Sequence, residues 1–599
     1  MKPTMEILAR ISKDSRNNNG EVFTKLFRYL LRPDLYFEAY KHLYANDGAA
    51  TKGVNDDTAD GFSEAKIEKI INSLKDETYQ PSSVRRTYIA KKNNPGKKRP
   101  LGIPTFTDKL VQEALRMVLE AVYEPVFLDC SHGFRPNRSC HTALKDLKHK
   151  FAGSKWFIEG DIKGCFDNIN HSVLIGLINK KVKDARVTKL IYKFLKAGYM
   201  EDWQYHSTYS GTPQGGNISP LLANIYLHEL DKFVMKLKTD FDKASERSFT
   251  PQYDKLRIQV AALQRRIKKA DESERERLIA EHRRIRAEML KTPCKSQTDK
   301  QVKYIRYADD FLIAVNGNRE DCVEIKRKLS EFIGQTLKME LSEEKTLITH
   351  SSHRARFLGY DVRIRRDQTI KHGGPGNKTK RTLNNTTELT VPLDDKIRKF
   401  LFAKGVVEQG ENGKLIPVHR PALERLTDLE IVSTYNAELR GICNFYNMAS
   451  NFNSLNYFSY LMEYSCLKTL AGKHKSTISK TVARHKDGKG GWGIKYDTRK
   501  GKKRLYFAKY SECKDVKTCN DVIDKAFVIY MQTSNSLEKR LKAKVCELCG
   551  TQASDRYELH HVNKLKNLKG KRAWERAMIA KRRKTLAVCR ECHHNIHYR

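Results

Sequence analysis

The sequence lacks long apolar runs, and none of its stretches could cross a bilayer, which argues against an integral membrane protein. Its first twenty residues also lack the core of a secretory signal, because Glu6, Arg10 and Lys13 interrupt the apolar positions. Only 13 of 599 residues are cysteine, and these are scattered apart from two CxxC pairs. This usage excludes a disulfide framework and predicts reduced thiols with one metal site.

Acidic residues are scarce relative to basic ones: 71 Asp and Glu stand against 113 Lys and Arg, which leaves a formal net charge of +42. Such an excess attracts a polyanion, and aromatic residues spread among the basic ones favour nucleic acid over an acidic protein. A hydrophobic content of 39% supports real cores, and the length predicts several domains. Composition alone fits a structural RNA-binding protein equally well, so the choice depends on motifs.

Residues 301–315 place two adjacent acids, Asp309 and Asp310, between an alternating apolar run and the continuous run Phe311–Val315. This pattern predicts a strand, a tight turn and a second strand that is buried on both faces. Carboxylates between buried strands are costly unless a cation neutralises them, which indicates a hard divalent ion such as Mg2+. Taken alone, the same residues also fit an acidic turn in water.

Residues 156–169 supply a second acid. An aromatic and apolar strand ends in Asp161, and Phe166 follows five residues later. A strand-borne aspartate with an Asp-Asp hairpin is the carboxylate set of a two-metal nucleotidyl transferase. With Tyr307-Ala308 and the two acids as its signature box, the chain resembles reverse transcriptases. Over nearly its whole length it resembles the intron-encoded proteins of mobile group II introns.

The resemblance implies that Asp161, Asp309 and Asp310 hold Mg2+ and are the catalytic carboxylates of the polymerase. It also implies that five further residues bind the incoming nucleotide: Lys92, Arg99, Phe166, Gln214 and Lys345. Phe166 would block a 2′-hydroxyl and so select deoxynucleotides. Without the surrounding motifs, the same phenylalanine would be interpreted as core.

Lys92 and Arg99 lie on the two arms of a predicted hairpin within residues 84–104. There they would present fixed positive charge to the triphosphate. A basic hairpin lying in water is an open alternative. Lys91 in place of Lys92 is another, because a register shift of one residue exchanges the two faces of a strand.

Two CxxC pairs lie near residue 550 and near residue 590. Cys546 with Cys549 and Cys589 with Cys592 have the spacing of a structural zinc site. Such a site holds together a segment that is too small for a core of its own. We therefore expect Zn2+ as a second, structural cofactor.

Histidines accompany these cysteines: His560 and His561 are adjacent, and His593 and His597 are spaced along one helix face. The segment resembles the ββα-metal, or HNH, nucleases. By position, His560, His593 and His597 would bind one divalent ion, expected to be Mg2+, and His561 would be the base that activates water. The central Asn of the family falls near Thr585, which leaves the orientation of the base open. The alternative is a zinc knuckle that binds DNA without cutting it.

The resemblance implies an α+β multidomain fold. It comprises a right-hand polymerase with an antiparallel sheet, an α-helical thumb, a basic DNA-binding region and a small zinc-stapled ββα-metal domain. A polar segment at 366–386 predicts a flexible linker. The expected divisions are an N-terminal extension (1–80), fingers and palm (81–365, with a helical insertion at 240–300), thumb or maturase domain X (387–475), DNA-binding domain (476–540) and HNH endonuclease domain (541–599).

The implied protein is multifunctional: an RNA-directed DNA polymerase, a maturase that binds its intron RNA for splicing, and an endonuclease that nicks DNA to prime reverse transcription. Its expected partners are group II intron RNA, a double-stranded DNA target and dNTPs, with no membrane and with a homodimer left open. The expected location is the bacterial cytoplasm or nucleoid, with an organelle left open. A splicing factor without polymerase activity is disfavoured by the intact Asp161, Asp309 and Asp310. An RNA-templated RNA polymerase is disfavoured by Phe166 and the nuclease segment.

Overall fold

The computed structural model describes residues 3–18, 20–91, 94–201, 204–208, 210–211, 215–243, 249–294, 299–367, 369–372, 379–487, 491–498, 501–514 and 536–598. The helices in this part of the chain are α1 (Thr4–Asn17), α2 (Pro33–Leu43), α3 (Glu64–Lys75), α4 (Phe106–Tyr123), α5 (Cys140–Lys150), α6 (His171–Asn179), α7 (Ala185–Lys196), α8 (Ser219–Phe241), α9 (Pro251–Ile267), α10 (Glu272–Lys291), α11 (Arg319–Gln335), α12 (Lys399–Ala403), α13 (Asp428–Phe445), α14 (Leu455–Lys473), α15 (Ile478–His485), α16 (Ser536–Lys542), α17 (Ala573–Lys581) and α18 (Arg590–Tyr598).

Strands are interspersed with these helices along the whole chain. They are β1 (Val84–Lys91), β2 (Asn94–Ile103), β3 (Trp156–Asp161), β4 (Tyr199–Glu201), β5 (Gln204–His206), β6 (Gln301–Tyr307), β7 (Asp310–Asn316), β8 (Ile348–His350), β9 (Ala355–Phe357), β10 (Tyr360–Ile364), β11 (Ile370–His372), β12 (Thr379–Arg381), β13 (Thr387–Thr390), β14 (Val407–Gln409), β15 (Leu415–Pro417), β16 (Gly493–Thr498), β17 (Gly501–Tyr506), β18 (Tyr557–His561) and β19 (Thr585–Cys589).

Polar side chains fix where several of the helices begin. Ser139, Asn318 and Thr427 each accept a backbone hydrogen bond from the third helical residue of α5, α11 and α13. In each case that residue's side chain accepts a bond in return from the cap backbone, which completes a capping box. The starts of these helices are therefore set locally by sequence.

A four-stranded antiparallel sheet, in the order β6-β7-β3-β8, lies at the centre of the polymerase region. In β7 the six residues from Phe311 to Asn316 are all buried. Ile313 and Val315 join one hydrophobic core, whereas Leu312 and Ala314 join a second core. The alternation follows from the two-residue period of a strand. The predicted strand, turn and doubly buried strand are therefore confirmed.

The two cores connect distant parts of the chain. The first runs from the N-terminal helices through α4 and α8 to the nuclease segment, and the second runs from the sheet into the helices α13 and α14. Phe62 and Leu559 form an antiparallel bridge, with the Leu559 amide donating to the Phe62 carbonyl at 2.9 Å. The nuclease segment thus packs on the N-terminal region rather than forming an isolated appendage.

The basic hairpin at 84–104 is present as β1 and β2, which belong to a sheet of order β2-β1-β4-β5. The strand β1 pairs in parallel with β4, a contact that the sequence did not predict. None of the helices in the described residues has the length and hydropathy that a membrane span requires.

One expectation about irregular structure was wrong, because the predicted linker at 366–386 contains the paired strands β11 and β12. The expected DNA-binding segment at 476–540 contains α15 and the hairpin β16–β17, and its residues 515–535 lie outside the described part of the chain. The hairpin is anchored on α13, since the Asn436 amide donates to the Tyr506 carbonyl at 2.8 Å. Such a long-range contact leaves no periodic signal in the local sequence.

Candidate active sites

A buried ion pair supports the turn between β6 and β7. Arg306 and Asp231 are both fully buried and lie 2.7 Å apart. The same guanidinium donates to the carbonyl of Ala308, the residue at φ 59° that makes the turn. Gly133 packs against this turn so closely that a Cβ would lie 2.2 Å from the Ala308 nitrogen. The backbone that presents the two acids is therefore fixed by its surroundings.

Strand register brings the acids of the polymerase site together. Asp161, the last residue of β3, lies directly opposite Asp310, the first residue of β7, and Asp309 precedes it in the turn. Withdrawal from water and the nearby carboxylate charges raise the pKa of Asp309, and they raise the pKa of Asp310 to about 7. Acidic groups that repel one another in this way favour a bound cation, and oxygen ligands fit Mg2+.

Lys345 and Arg99 supply positive charge to these acids. The ammonium of Lys345 lies 2.7 Å from Oδ2 of Asp161, and this hydrogen bond raises the pKa of Lys345. The Arg99 charge is close enough to oppose the upward pKa shift of Asp309. Both cations are exposed and so are accessible to a ligand. Lys92 and Gln214, the other two predicted polar contacts, lie outside the described residues.

Phe166 lies next to the same strand end, five residues after Asp161. Its side chain is half-buried, and its ring meets the exposed Phe134 edge to face, with 6.1 Å between the ring centroids. A wholly buried ring could not contact a nucleotide. Partial exposure keeps the predicted role in sugar selection open.

The four cysteines Cys546, Cys549, Cys589 and Cys592 converge, with all four sulfur atoms within 4.8 Å of one another. The amide of Cys549 donates to Sγ of Cys546, and that of Cys592 donates to Sγ of Cys589. Although burial opposes it, backbone donors lower the pKa of the Cys546 thiol to about 7. Four convergent thiols at this spacing fit a structural zinc ion.

The predicted ion ligands of the nuclease also converge. His560, His593 and His597 lie with Asp60 in a cluster whose ligand atoms are all within 4.8 Å of one another. Neither ring nitrogen of buried His560 makes a hydrogen bond within the described part of the chain. Glu558 lies 2.5 Å from Nδ1 of His593 and so directs the other ring nitrogen at the cluster. This donor set fits a divalent ion.

The cysteine and histidine clusters differ from the polymerase carboxylates. Among the described residues, they are the only two groups that bring three or more ligand atoms within 4.8 Å of one another. Asp161, Asp309 and Asp310 are near one another, but their carboxylate oxygens do not all come within 4.8 Å of one another. In the polymerase site, Lys345 lies against one of the acids instead.

His561, the predicted base, is buried beside the histidine cluster. Its Nε2 lies 3.0 Å from the Tyr44 carbonyl and must donate to it, which leaves Nδ1 as the acceptor. Burial lowers the pKa of His561, so the ring is neutral near pH 7. Thr585 lies opposite His561 in the β18–β19 pair, but its hydroxyl accepts from Arg540 instead.

Sequence reasoning missed Asp60, Tyr44, Glu558 and Arg306. Arg306 left a weak signal, since it falls on the same strand alternation as the buried Val302 and Tyr304. Glu558 is two residues before His560, so strand alternation places it on the same side of β18. Asp60 and Tyr44 left no signal, because about five hundred residues separate them from the histidines that they contact.

Comparisons with family models match three parts of the chain. Residues 89–245 and 282–362 match the reverse transcriptase (RNA-dependent DNA polymerase) family, and residues 384–535 match the type II intron maturase family. Residues 546–593 match the AI2M/AI1M-like HNH endonuclease family. The protein is thus a reverse transcriptase joined to a maturase region and an HNH endonuclease.

Relatives extend these matches to the full length. The group II intron-encoded protein LtrA of Lactococcus lactis subsp. cremoris is 62% identical over 597 residues, covering 100% of this chain and 99% of the relative. An uncharacterized 91 kDa protein in the cob intron of Schizosaccharomyces pombe is 35% identical over 609 residues, covering 100% and 72%. The chain therefore belongs to the group II intron-encoded proteins. It is a multifunctional enzyme that combines RNA-directed DNA polymerase, maturase and DNA endonuclease activities.

Proposed function

We propose that the polymerase copies RNA into DNA at Asp161, Asp309 and Asp310 with Mg2+, and that the nuclease nicks one DNA strand to provide the primer. The observation that carries the polymerase assignment is the pairing of Asp161 with Asp310 across β3 and β7. Two segments far apart in sequence thereby present carboxylates at the same end of two central strands. This arrangement also disfavours an RNA-clasping scaffold without catalysis.

In the polymerase site, bound ions would activate the primer 3′ oxygen and neutralise the triphosphate. Asp161, Asp309 and Asp310 would together hold these ions. Lys345 is positioned to exchange Asp161 for a triphosphate oxygen, because its exposed ammonium already lies against that acid. The proposed nucleotide contacts are Lys92, Arg99, Phe166, Gln214 and Lys345.

In the nuclease site, we assign ion binding to His560, His593 and His597. A bound ion would stabilise the leaving oxygen of the phosphodiester. His561 takes the proton of the attacking water at Nδ1, since its Nε2 donates to the Tyr44 carbonyl. The four cysteines hold a zinc ion that fixes the β18–β19 pair and α18.

The remaining regions are assigned to nucleic acids. The helices of residues 387–475 would grip the template–primer duplex and intron RNA, and residues 476–540 would bind the DNA target. The net charge of +42 supports phosphate contacts. The boundaries at 80, 365, 387, 475 and 540 are proposed as functional divisions. The shared core shows that the first and last of these regions are not physically separate.

Primer extension on an RNA template tests the polymerase assignment. The wild-type chain should incorporate dNTPs and discriminate against rNTPs. Phe166→Val should weaken that discrimination about tenfold or more, because a smaller side chain no longer meets the 2′-hydroxyl. Phe249→Val, at an exposed ring beside α9, is the control and should leave it unchanged. Absence of dNTP incorporation by the wild-type chain would contradict the proposal.

A further inference from the structure

The nuclease cluster contains one residue from the opposite end of the chain. We propose that Asp60 is a ligand of the nuclease ion, so that the endonuclease centre is completed by the N-terminal region. The inference rests on the proposed nuclease site and adds to it a residue that lies outside the HNH segment. It predicts that the nuclease centre assembles only when the two ends of the chain are docked.

Three distances support direct ligation. One carboxylate oxygen of Asp60, Oδ2, lies 2.7 Å from Nε2 of His597 and 3.2 Å from Nε2 of His593. The other oxygen, Oδ1, lies 3.1 Å from Nδ1 of His560. Nitrogen and oxygen ligands sit about 2.0–2.2 Å from an ion such as zinc, so ligands that share one ion lie about 3 Å apart. The observed spacings match that value.

A simple ion pair explains the cluster less well. Nε2 of His593 and Nε2 of His597 face each other at 3.3 Å, and two protonated nitrogens would repel at that distance. His560 brings a third ring, whose buried nitrogens make no hydrogen bond in the described part of the chain. One carboxylate could accept a proton from each imidazole, but that arrangement leaves the protonated Nε2 atoms of His593 and His597 facing each other. A shared cation would instead bind the lone pairs of all four side chains.

Asp60 is held in place by backbone contacts. The Gly61 amide donates to the Leu559 carbonyl at 3.1 Å, and the Leu559 amide donates to the Phe62 carbonyl. Phe62 is fully buried and stacks on Tyr40 with 4.1 Å between ring centroids. Oδ1 of Asp60 also accepts a 2.7 Å hydrogen bond from the His561 amide. The carboxylate is therefore a fixed part of the site.

The same N-terminal segment also holds the base. The Tyr44 carbonyl lies 3.0 Å from Nε2 of His561 and selects the tautomer that leaves Nδ1 free to accept a proton. This contact performs the orienting role that Thr585 does not, since the Thr585 hydroxyl is engaged by Arg540. Residues 44–62 thus contribute to both parts of the proposed nuclease chemistry, the ion and the base.

The experiment is a Mn2+ titration of the full chain followed by electron paramagnetic resonance. Asp309→Asn and Asp310→Asn are present throughout, so that the polymerase ions do not contribute. Asp60→Ala and Asp60→Asn should each weaken Mn2+ binding at the nuclease site by at least about tenfold, since even residues behind the ligands change affinity by 10–100-fold. Asp56→Ala is the matched control, because Asp56 is exposed and pairs with exposed Lys52.

Two further measurements separate the outcomes. His593→Ala should remove the Mn2+ site, and if it does not, the proposed nuclease site itself is wrong. Retention of one zinc ion per chain shows that the cysteine module is folded in each variant. If His593→Ala removes the site while both Asp60 variants bind Mn2+ normally, only this inference fails. If the Asp60 variants bind Mn2+ with unchanged affinity and nick DNA faster, Asp60 blocks the site and is not a ligand.

Discussion

The polymerase and nuclease sites are assembled in different ways. The polymerase acids lie on neighbouring strands of one sheet, and main-chain pairing of β3 with β7 sets their distance. The proposed nuclease ligands come from β18, α18 and a segment five hundred residues away, and core packing with the backbone bridge between Phe62 and Leu559 brings them together. The comparison teaches that one site depends on a single sheet, whereas the other depends on docking of the two chain ends.

The sites also differ in how they balance charge. In the polymerase, burial and like charges raise the pKa of Asp310 to about 7. In the nuclease, burial opposes protonation of His593, but its bonds to Asp60 and Glu558 outweigh burial and raise its pKa to about 9. Without an ion, the first site therefore favours a proton on Asp310 and the second favours a proton on His593.

The polymerase and nuclease activities should separate most clearly when one catalytic residue is replaced at a time. Asp309→Asn should reduce primer extension by about a thousandfold or more while leaving DNA nicking intact, because the ion ligands lie in different sites. His561→Ala should do the reverse. Extension and nicking assays on the same preparations measure both. Loss of both activities in either variant would show that the sites are not independent.

Removal of the structural zinc should abolish DNA nicking but not primer extension. Cys589→Ser removes one of four convergent sulfurs, and structural zinc contributes about 10–16 kcal/mol to the folding of small metal modules. We expect zinc content to fall to near zero and nicking to be lost, with extension largely kept. Cys294→Ser is the control, since Cys294 lies outside both clusters. Equal loss of extension would show that the N-terminal region needs the zinc module.

Breaking the buried ion pair should affect the polymerase first. Asp231→Ala leaves the Arg306 charge fully buried without its partner, at a cost of about 3–5 kcal/mol in the free energy of unfolding. Extension should fall because Arg306 also holds the Ala308 turn. Chemical denaturation and extension assays measure the two effects. Glu324→Ala, at an exposed pair with Arg327, is the control and should change neither.

The smallest effect concerns pH. Asp310 must lose its proton to bind Mg2+, and its pKa of about 7 lies above that of an ordinary aspartate. Below pH 7, the Mg2+ concentration needed for half-maximal extension should therefore rise, by up to about tenfold per pH unit, and above pH 8 it should level off. The charges of Asp309 and Asp161 help to raise the pKa of Asp310, and the charge of Lys345 lowers it. A half-maximal Mg2+ concentration that does not change between pH 6 and pH 8 would contradict this prediction.

Much of the polymerase site could be predicted from sequence. The apolar pattern around Asp309 and Asp310 predicts the strand–turn–strand that is observed, since strands alternate and turns accept aspartate. The cysteine and histidine spacings likewise indicated the two metal clusters. The hairpin β16–β17 was missed because its anchor, Asn436, lies in another region. The short strands β11 and β12 were missed because five of their six residues are polar.

The sequence by itself determined the catalytic residue types, their spacing within each motif and the membership of the chain in its family. Those properties are local, because a strand period or a CxxC spacing is carried by adjacent residues. Only the tertiary structure decided that Asp60 and Tyr44 meet His560 and His561. The physical reason is that packing of the shared hydrophobic core selects this contact, and neither segment alone contains the information that fixes it.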